Sequence, residues 1–294
     1  MTAETDAAAD RPHTQNIDVA GLTHRGLVRT ENQDHFLIAS LHKTMRIIST
    51  SLPTESLGEL TSPSRGYVFL VADGVGGVPG GRDASRTALN AIVDYVVQTM
   101  DLYTQLDPAA ETVFLAELQR SVEQSHEVVR KAGTGESEKA VGATTLTMAC
   151  IRWPRGYLVH VGDSRCYRLR DGELELLTKD QTMAQAMVDA GALSPDQAER
   201  SRLKHVLYSA IGASRAEPYT LTTDCRWDDL MLLCSDGITK HVSDEEIRDA
   251  LRRSTRADAT AQELLQLALD RGGTDNTTVI VGRLNRPTGV VGEA

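Results

Sequence analysis

Four aspartates stand where an apolar run meets a turn: Asp73, Asp163, Asp236 and Asp275. Residues 69–72 lead into Asp73-Gly74, residues 158–161 into Gly162-Asp163, and residues 230–234 into Ser235-Asp236-Gly237. The last is inverted, with Gly272-Gly273-Thr274-Asp275-Asn276 ahead of an apolar run at 277–281. Glycine lets a backbone turn sharply or come close to a bound ion. A carboxylate beside a buried strand is costly unless a positive charge neutralises it. No comparable set of lysines or arginines accompanies these four, and all-oxygen ligands suit hard ions. Mg²⁺ or Mn²⁺ is then the simplest neutraliser. A single Asp-Gly after a strand reads as a turn; four of them on similar strands point beyond that.

The elements that must position these residues form blocks. Strands are expected at 17–23, 36–39 and 69–72, then long amphipathic helices at 80–100 and 107–131 with apolar residues at helical spacing. The first of these buries Ala84, Ala88, Leu89, Ile92, Val93, Val96, Val97 and Met100, the second Val113, Leu115, Leu118, Val122 and Val129. From Gly142 the period becomes that of strands, and 144–151, 156–161, 165–169 and 173–177 read as one antiparallel meander. Residues 181–210 interrupt it as a flap with two short helical patterns. Strands return at 219–223 and 230–234. Helices at 243–252, with Ser243 and Glu246 as a capping box, and 258–271 precede a last strand at 277–284. Strand blocks separated by helix pairs favour an α+β fold over a parallel βαβ one.

The 294 residues suffice for one large core, and the few aromatics leave it to Val, Leu, Ile and Ala. One domain is expected over 16–285, with a disordered tail at 1–15, a mobile insertion at 40–66 and a loose tail at 286–294. A net charge of −10 argues against nucleic acid as the main partner. No apolar run reaches the length of a membrane span, and the acidic N-terminus does not resemble a signal peptide. A cytoplasmic protein is the expectation. Cys150, Cys166, Cys225 and Cys234 show no metal-site spacing and read as buried free thiols. The run 74–81 lacks the Gly-Lys-Ser/Thr of a nucleotide loop and is interrupted by Pro79.

Five blocks in order carry a family resemblance: Arg29-x-x-Asn32-Gln33-Asp34, residues 71–77, Gly142-x-Thr144-Thr145, residues 161–165, and the pair Ser235-Asp236-Gly237 with Gly273-Thr274-Asp275-Asn276. Together they resemble the metal-dependent protein serine/threonine phosphatases of type 2C, the stand-alone bacterial kind, over residues 17–284. The resemblance implies a central antiparallel β-sandwich flanked by pairs of α-helices, four layers deep, with the metals at one end. It implies that Asp73 bridges two Mn²⁺ or Mg²⁺ ions, that the main-chain oxygen of Gly74 helps hold one, and that Asp236 and Asp275 hold the other. Asp163 resembles the ligand of a third, weaker ion. Asp34 would act through a water, Arg29 would grip the phosphate, and Asn276 would orient Asp275. The substrates implied are phosphoserine and phosphothreonine proteins made by a Ser/Thr kinase, and the enzyme a monomer.

Three departures mark this chain. Val75 stands where many members carry a histidine thought to act as general acid, Gln181 where Asp-His is common, and Gln33 where glutamate is frequent. A water on the third ion at Asp163 is therefore the expected proton donor. His160 reads as strand packing and His205 as a flap residue. The competing readings are a pseudo-phosphatase serving as a sensor, and a phosphatase of small phosphorylated metabolites on the same fold.

Overall fold

The computed structural model describes residues 16–42, 44–46, 59–61, 66–75, 80–99, 108–132 and 142–286. The expected tail at 1–15, all but the first residue of that at 286–294, and most of the insertion at 40–66 lie outside these. Two five-stranded antiparallel sheets face each other. The first runs β1 (Ile17–His24), β12 (Thr277–Leu284), β11 (Leu230–Cys234), β8 (Arg165–Arg170), β9 (Glu173–Leu176). The second runs β10 (Tyr219–Asp224), β7 (Arg155–Val161), β6 (Leu146–Arg152), β5 (Gly66–Ala72), β2 (His35–Leu41). Inside the insertion, β3 (Thr44–Arg46) pairs with β4 (Glu59–Thr61), a strand that the loop-like composition of 49–65 concealed.

Both sheets are covered on both faces, so their central strands are apolar throughout. Every residue of β5 is buried. Tyr67, Phe69 and Val71 point between the sheets with Ala149, Leu158, Leu233 and Ile280. Val68, Leu70 and Ala72 point outward against α1 (Gly81–Gln98) and α2 (Pro108–Ala132). The first sheet is covered likewise by α6 (Asp244–Arg253) and α7 (Ala257–Asp270). The expected four-layer α+β sandwich is the fold. The capping box of Ser243 and Glu246 is present, and all four cysteines are buried free thiols. Among the described residues no helix is long and apolar enough to cross a membrane.

Two expectations need correction. The helical stripes were drawn too wide: Val97 and Val113 are 61% and 49% exposed, and Phe114, at 1%, anchors α2 instead of Val113. The single meander is two hairpins in different sheets. β6 and β7 pair in the second sheet, β8 and β9 in the first, and the chain crosses over at Gly162-Asp163-Ser164. Strand periodicity cannot show a change of sheet when both faces of both sheets are buried.

The flap holds α3 (Met183–Asp189), α4 (Pro195–Glu199) and a 3₁₀ turn at Arg202–His205. A further short helix, α5 (Asp236–Thr239), opens directly from the end of β11.

Candidate metal centre

Pairing register brings the relevant strand ends together. His35 of β2 lies opposite Ala72 of β5, and Leu146 of β6 opposite Val161 of β7. In the other sheet His24 of β1 meets Thr277 of β12, while Cys234 of β11 meets Val279 of β12 and Arg165 of β8. The loop of Arg29 and Asp34, the end of β5 and the Asp163 crossover thus share one end of the sandwich with Asp236 and Asp275. A cleft of about 450 Å³ there is lined by Arg29, Asp73, Asp163, Asp236 and Asp275 among others.

Local structure fixes each group. Thr144 and Thr145 grip the main chain of Asp73: the Thr144 hydroxyl and the Thr145 amide donate to its carbonyl, each at 2.8 Å, and its amide donates to Oγ1 of Thr145 at 3.1 Å. Gly74 follows, its amide donating to the Gln33 carbonyl at 3.2 Å. Asp34 is buried behind them, and Oδ2 accepts from Ser235 Oγ at 2.8 Å and Thr278 Oγ1 at 2.7 Å. Asn276 is a clamp behind the site. Its Nδ2 donates to the carbonyls of Arg25 at 2.9 Å and Glu31 at 2.8 Å, and its Oδ1 accepts from the Gln33 amide at 2.9 Å. It thereby ties the Arg29 loop to Asp275, whose Oδ1 takes the Asn276 amide at 2.9 Å. Two glycines permit this approach: a Cβ on Gly26, at φ 78°, would sit 2.2 Å from the Asp275 carbonyl oxygen, and one on Gly237 would sit 1.9 Å from that of Asn276.

The charges are unevenly matched. Arg29 Nε lies 2.7 Å from Asp275 Oδ1, and its Nη2 donates to Oδ2 at 2.9 Å. Lys240 Nζ lies 2.6 Å from both Asp236 Oδ2 and Asp275 Oδ2. The expectation that no cation accompanies the aspartates is corrected for these two. Lys240 sits four residues after Asp236 on a helical turn that the Asp-Gly sequence read as a bend, and Arg29 comes from the far end of the chain. Burial works against the charge of Asp275, but the hydrogen bonds of Arg29 and Lys240 prevail and hold its carboxyl below the usual range.

Asp73 and Asp163 have no ion-pair partner among the described residues. Burial, then the charges of Asp34, Asp236, Asp163 and Asp275, push Asp73 well up. Burial, then Asp236 and Asp180, push Asp163 well up. Burial also raises Asp34, against the hydrogen bonds of Thr278 and Ser235. Oδ1 of Asp34 and Oδ1 of Asp236 are buried with no hydrogen-bond partner.

Excess buried negative charge and orphaned carboxylate oxygens are what a hard divalent cation satisfies. The donor set fits Mn²⁺ or Mg²⁺. Among the described residues no three of these carboxylates form a ready ligand cage; Asp236 and Asp275 are engaged by Lys240, and Asp275 by Arg29 as well.

The sequence reading missed Lys240 and the tie between flap and crossover. Gln181 carries that tie: its amide donates to the Gly162 carbonyl at 2.7 Å, its Oε1 accepts from the Gly162 amide at 3.0 Å, and its Nε2 donates to the Glu217 carbonyl at 2.7 Å. Beside it, the Arg165 fork grips Asp180 with Nε at 3.0 Å and Nη2 at 2.8 Å.

A family profile for protein phosphatase 2C matches residues 56–271. The serine/threonine protein phosphatase PstP of Mycobacterium tuberculosis is 32% identical over 262 residues, 89% of this chain, and the chain spans only 44% of that protein's length. Protein phosphatase PhpP of Streptococcus pneumoniae is 27% identical over 92% of this chain and 98% of its own. The crystal structure of the M. tuberculosis PstP superposes with a TM-score of 0.73 at 31% identity, covering 92% of this chain and 99% of that one. A PstP catalytic domain in complex with 2 manganese ions gives 0.70 at 31% identity over the same shares.

Proposed function

The chain belongs to the protein phosphatase 2C family, and from that premise we propose that it hydrolyses phosphoserine and phosphothreonine in proteins. Asp73, Asp236 and Asp275, with the Gly74 main chain, would hold two Mn²⁺ or Mg²⁺ ions, and Asp163 a third and weaker one. The observation that carries this reading is the gathering of four aspartates from both sheets around one cleft, with Asp34 buried behind them and oxygens of Asp34 and Asp236 buried without a partner. A pair of such ions, when bound, supplies a nucleophilic water at neutral pH and offsets the charge of the phosphoryl group.

The protein's own residues do the rest. Arg29, on the cleft wall, presents a planar fork that suits phosphate oxygens in two contacts. Lys240 adds a second fixed cation at the same wall. Asp34 and Asn276 position: one braces Ser235 and Thr278 under Asp236, the other fixes the Arg29 loop. Residues 205–210 of the flap line the far wall. The substrates are taken to be cytoplasmic products of a Ser/Thr kinase, and the enzyme to act as a monomer.

The test is hydrolysis of a phosphothreonine peptide and of p-nitrophenyl phosphate with and without Mn²⁺. Asp73→Asn and Asp236→Asn are expected to abolish both activities and to lose Mn²⁺ binding in calorimetry while circular dichroism stays native. Full activity in chelated, metal-free protein would sink the reading.

A further inference from the structure

Two clefts meet at the metal centre. The larger, described above, is joined by one of about 250 Å³ running under the flap, and Asp163, His205, Asp236 and Lys240 line both. His205 closes the 3₁₀ turn Arg202–His205, whose first residue follows Ser201, the cap that accepts the Leu203 amide at 3.1 Å. Among the described residues no hydrogen bond engages the ring, and the residue is exposed. It stands on the flap side of the two clefts that Asp163 and Asp236 also line.

The cleft offers few other proton sources. Arg29 is engaged by Asp275, and Lys240 by Asp236 and Asp275; side chains of both kinds ordinarily stay protonated far above neutral pH. Burial raises Tyr208 above the ordinary phenol value. Val75 on the same wall has no proton to give. Among the described residues, His205 is the one side chain lining both clefts whose ordinary pKa is near neutral.

Resting on the phosphatase reading, we propose that His205 is a catalytic residue that donates the proton to the departing serine or threonine oxygen. The P–O bond to that oxygen breaks as the oxygen of a water bonds to phosphorus. The bonding pair leaves on the alcohol oxygen, which takes the proton from the His205 imidazolium. The proton shed by the attacking water passes to solvent, and solvent reprotonates the imidazole, so no other reagent is consumed. Burial, then Lys240 and Lys204, lower the ring's pKa, while Asp236 and Glu199 oppose them; a phosphate dianion in the cleft adds to the opposition and favours the protonated ring. This assignment replaces the Asp163-held water as the source of the proton.

The experiment compares Mn²⁺-loaded wild type, His205→Gln, His205→Asn and Asp163→Asn on a phosphothreonine peptide, p-nitrophenyl phosphate and aryl phosphates with increasingly basic leaving groups. A basic leaving group needs the proton in the transition state and p-nitrophenolate does not. Both His205 variants are expected to lose about 100-fold or more in kcat on the peptide. Their loss on p-nitrophenyl phosphate should be at least about thirtyfold smaller, with KM and calorimetric Mn²⁺ affinity unchanged and a steeper dependence of rate on leaving-group basicity. Equal losses on the two substrates, or no loss on the peptide, overturn the proposal. So does the same selective loss in Asp163→Asn with both His205 variants unaffected. If wild type hydrolyses no phosphate ester with Mn²⁺, the phosphatase reading itself fails, independently of what His205 does.

Discussion

At the residue scale, Arg29 combines two properties that its loop position alone did not reveal. It lines the cleft, and its fork is already ordered by Asp275 at 2.7 and 2.9 Å. Pre-ordering lowers the entropic cost of gripping a phosphate. Arg29→Ala is therefore expected to lower kcat/KM by about 2–3 kcal/mol, the range for a charge-assisted hydrogen bond. Removing a cation beside Asp275 cannot weaken a second cation there by electrostatics, so Mn²⁺ affinity should hold or rise. Steady-state kinetics with parallel calorimetry separates the two effects; a change in kcat/KM under twofold would leave Arg29 a loop charge braced by Asp275. What the sequence concealed was the partner, since 246 residues separate the pair.

At the scale of elements, the strand ends and both outer helix pairs were readable because period and burial coincide in them. The crossover at Gly162-Asp163-Ser164 was not, because β7 is buried on both faces and β8 sets arginines on both faces among the buried Cys166, Tyr167 and Leu169, so nothing in their alternation marks a change of sheet. Gln181 was likewise read only as a departure from a pattern, yet it ties the flap to that crossover through Gly162. Gln181→Ala leaves the buried Gly162 amide unpaired, and a loss of about 1–3 kcal/mol of stability is expected. Limited proteolysis should cut the variant sooner within 181–210 than wild type; identical cleavage kinetics would argue against the tie. His160, read as strand packing, is fully buried on β7, bonded to Thr147 Oγ1 at 2.9 Å and the Gly162 carbonyl at 3.0 Å. Burial lowers its pKa from 6.5 to about 4. The unfolded state then binds more protons between those values, so this contribution is whole above pH 6.5 and fades as pH falls toward 4. Denaturation of wild type and His160→Gln should show their stability difference shrinking by about 2–3 kcal/mol between pH 7.5 and 4.5. A difference that does not vary with pH would exclude the ring as the titrating group.

At the scale of the whole molecule, the centre joins the two sheets. Asp73 ends β5 in one, Asp236 and Asp275 flank β11 and β12 in the other, and Asp163 lies on the chain between them. Clustered carboxylates that Arg29 and Lys240 only partly neutralise repel one another and oppose closure of the sandwich at this end. Divalent ions bound at the proposed centre would turn that repulsion into a link. Binding to the folded state alone stabilises by about 2.7 kcal/mol at 100 times Kd, or roughly 4–5 °C in Tm for a chain of this size. Mn²⁺ is thus expected to raise the Tm of chelator-treated wild type by that amount, and to slow amide exchange at the adjoining ends of both sheets together. Asp236→Asn removes one of the repelling charges and one ligand at once. Its metal-free form should melt at or above metal-free wild type, while its Mn²⁺-induced shift shrinks. Scanning calorimetry of both proteins over a Mn²⁺ series decides the matter: a wild-type Tm indifferent to Mn²⁺, or a full shift retained by Asp236→Asn, would show that the five aspartates are held by the fold for some purpose other than an ion between the sheets.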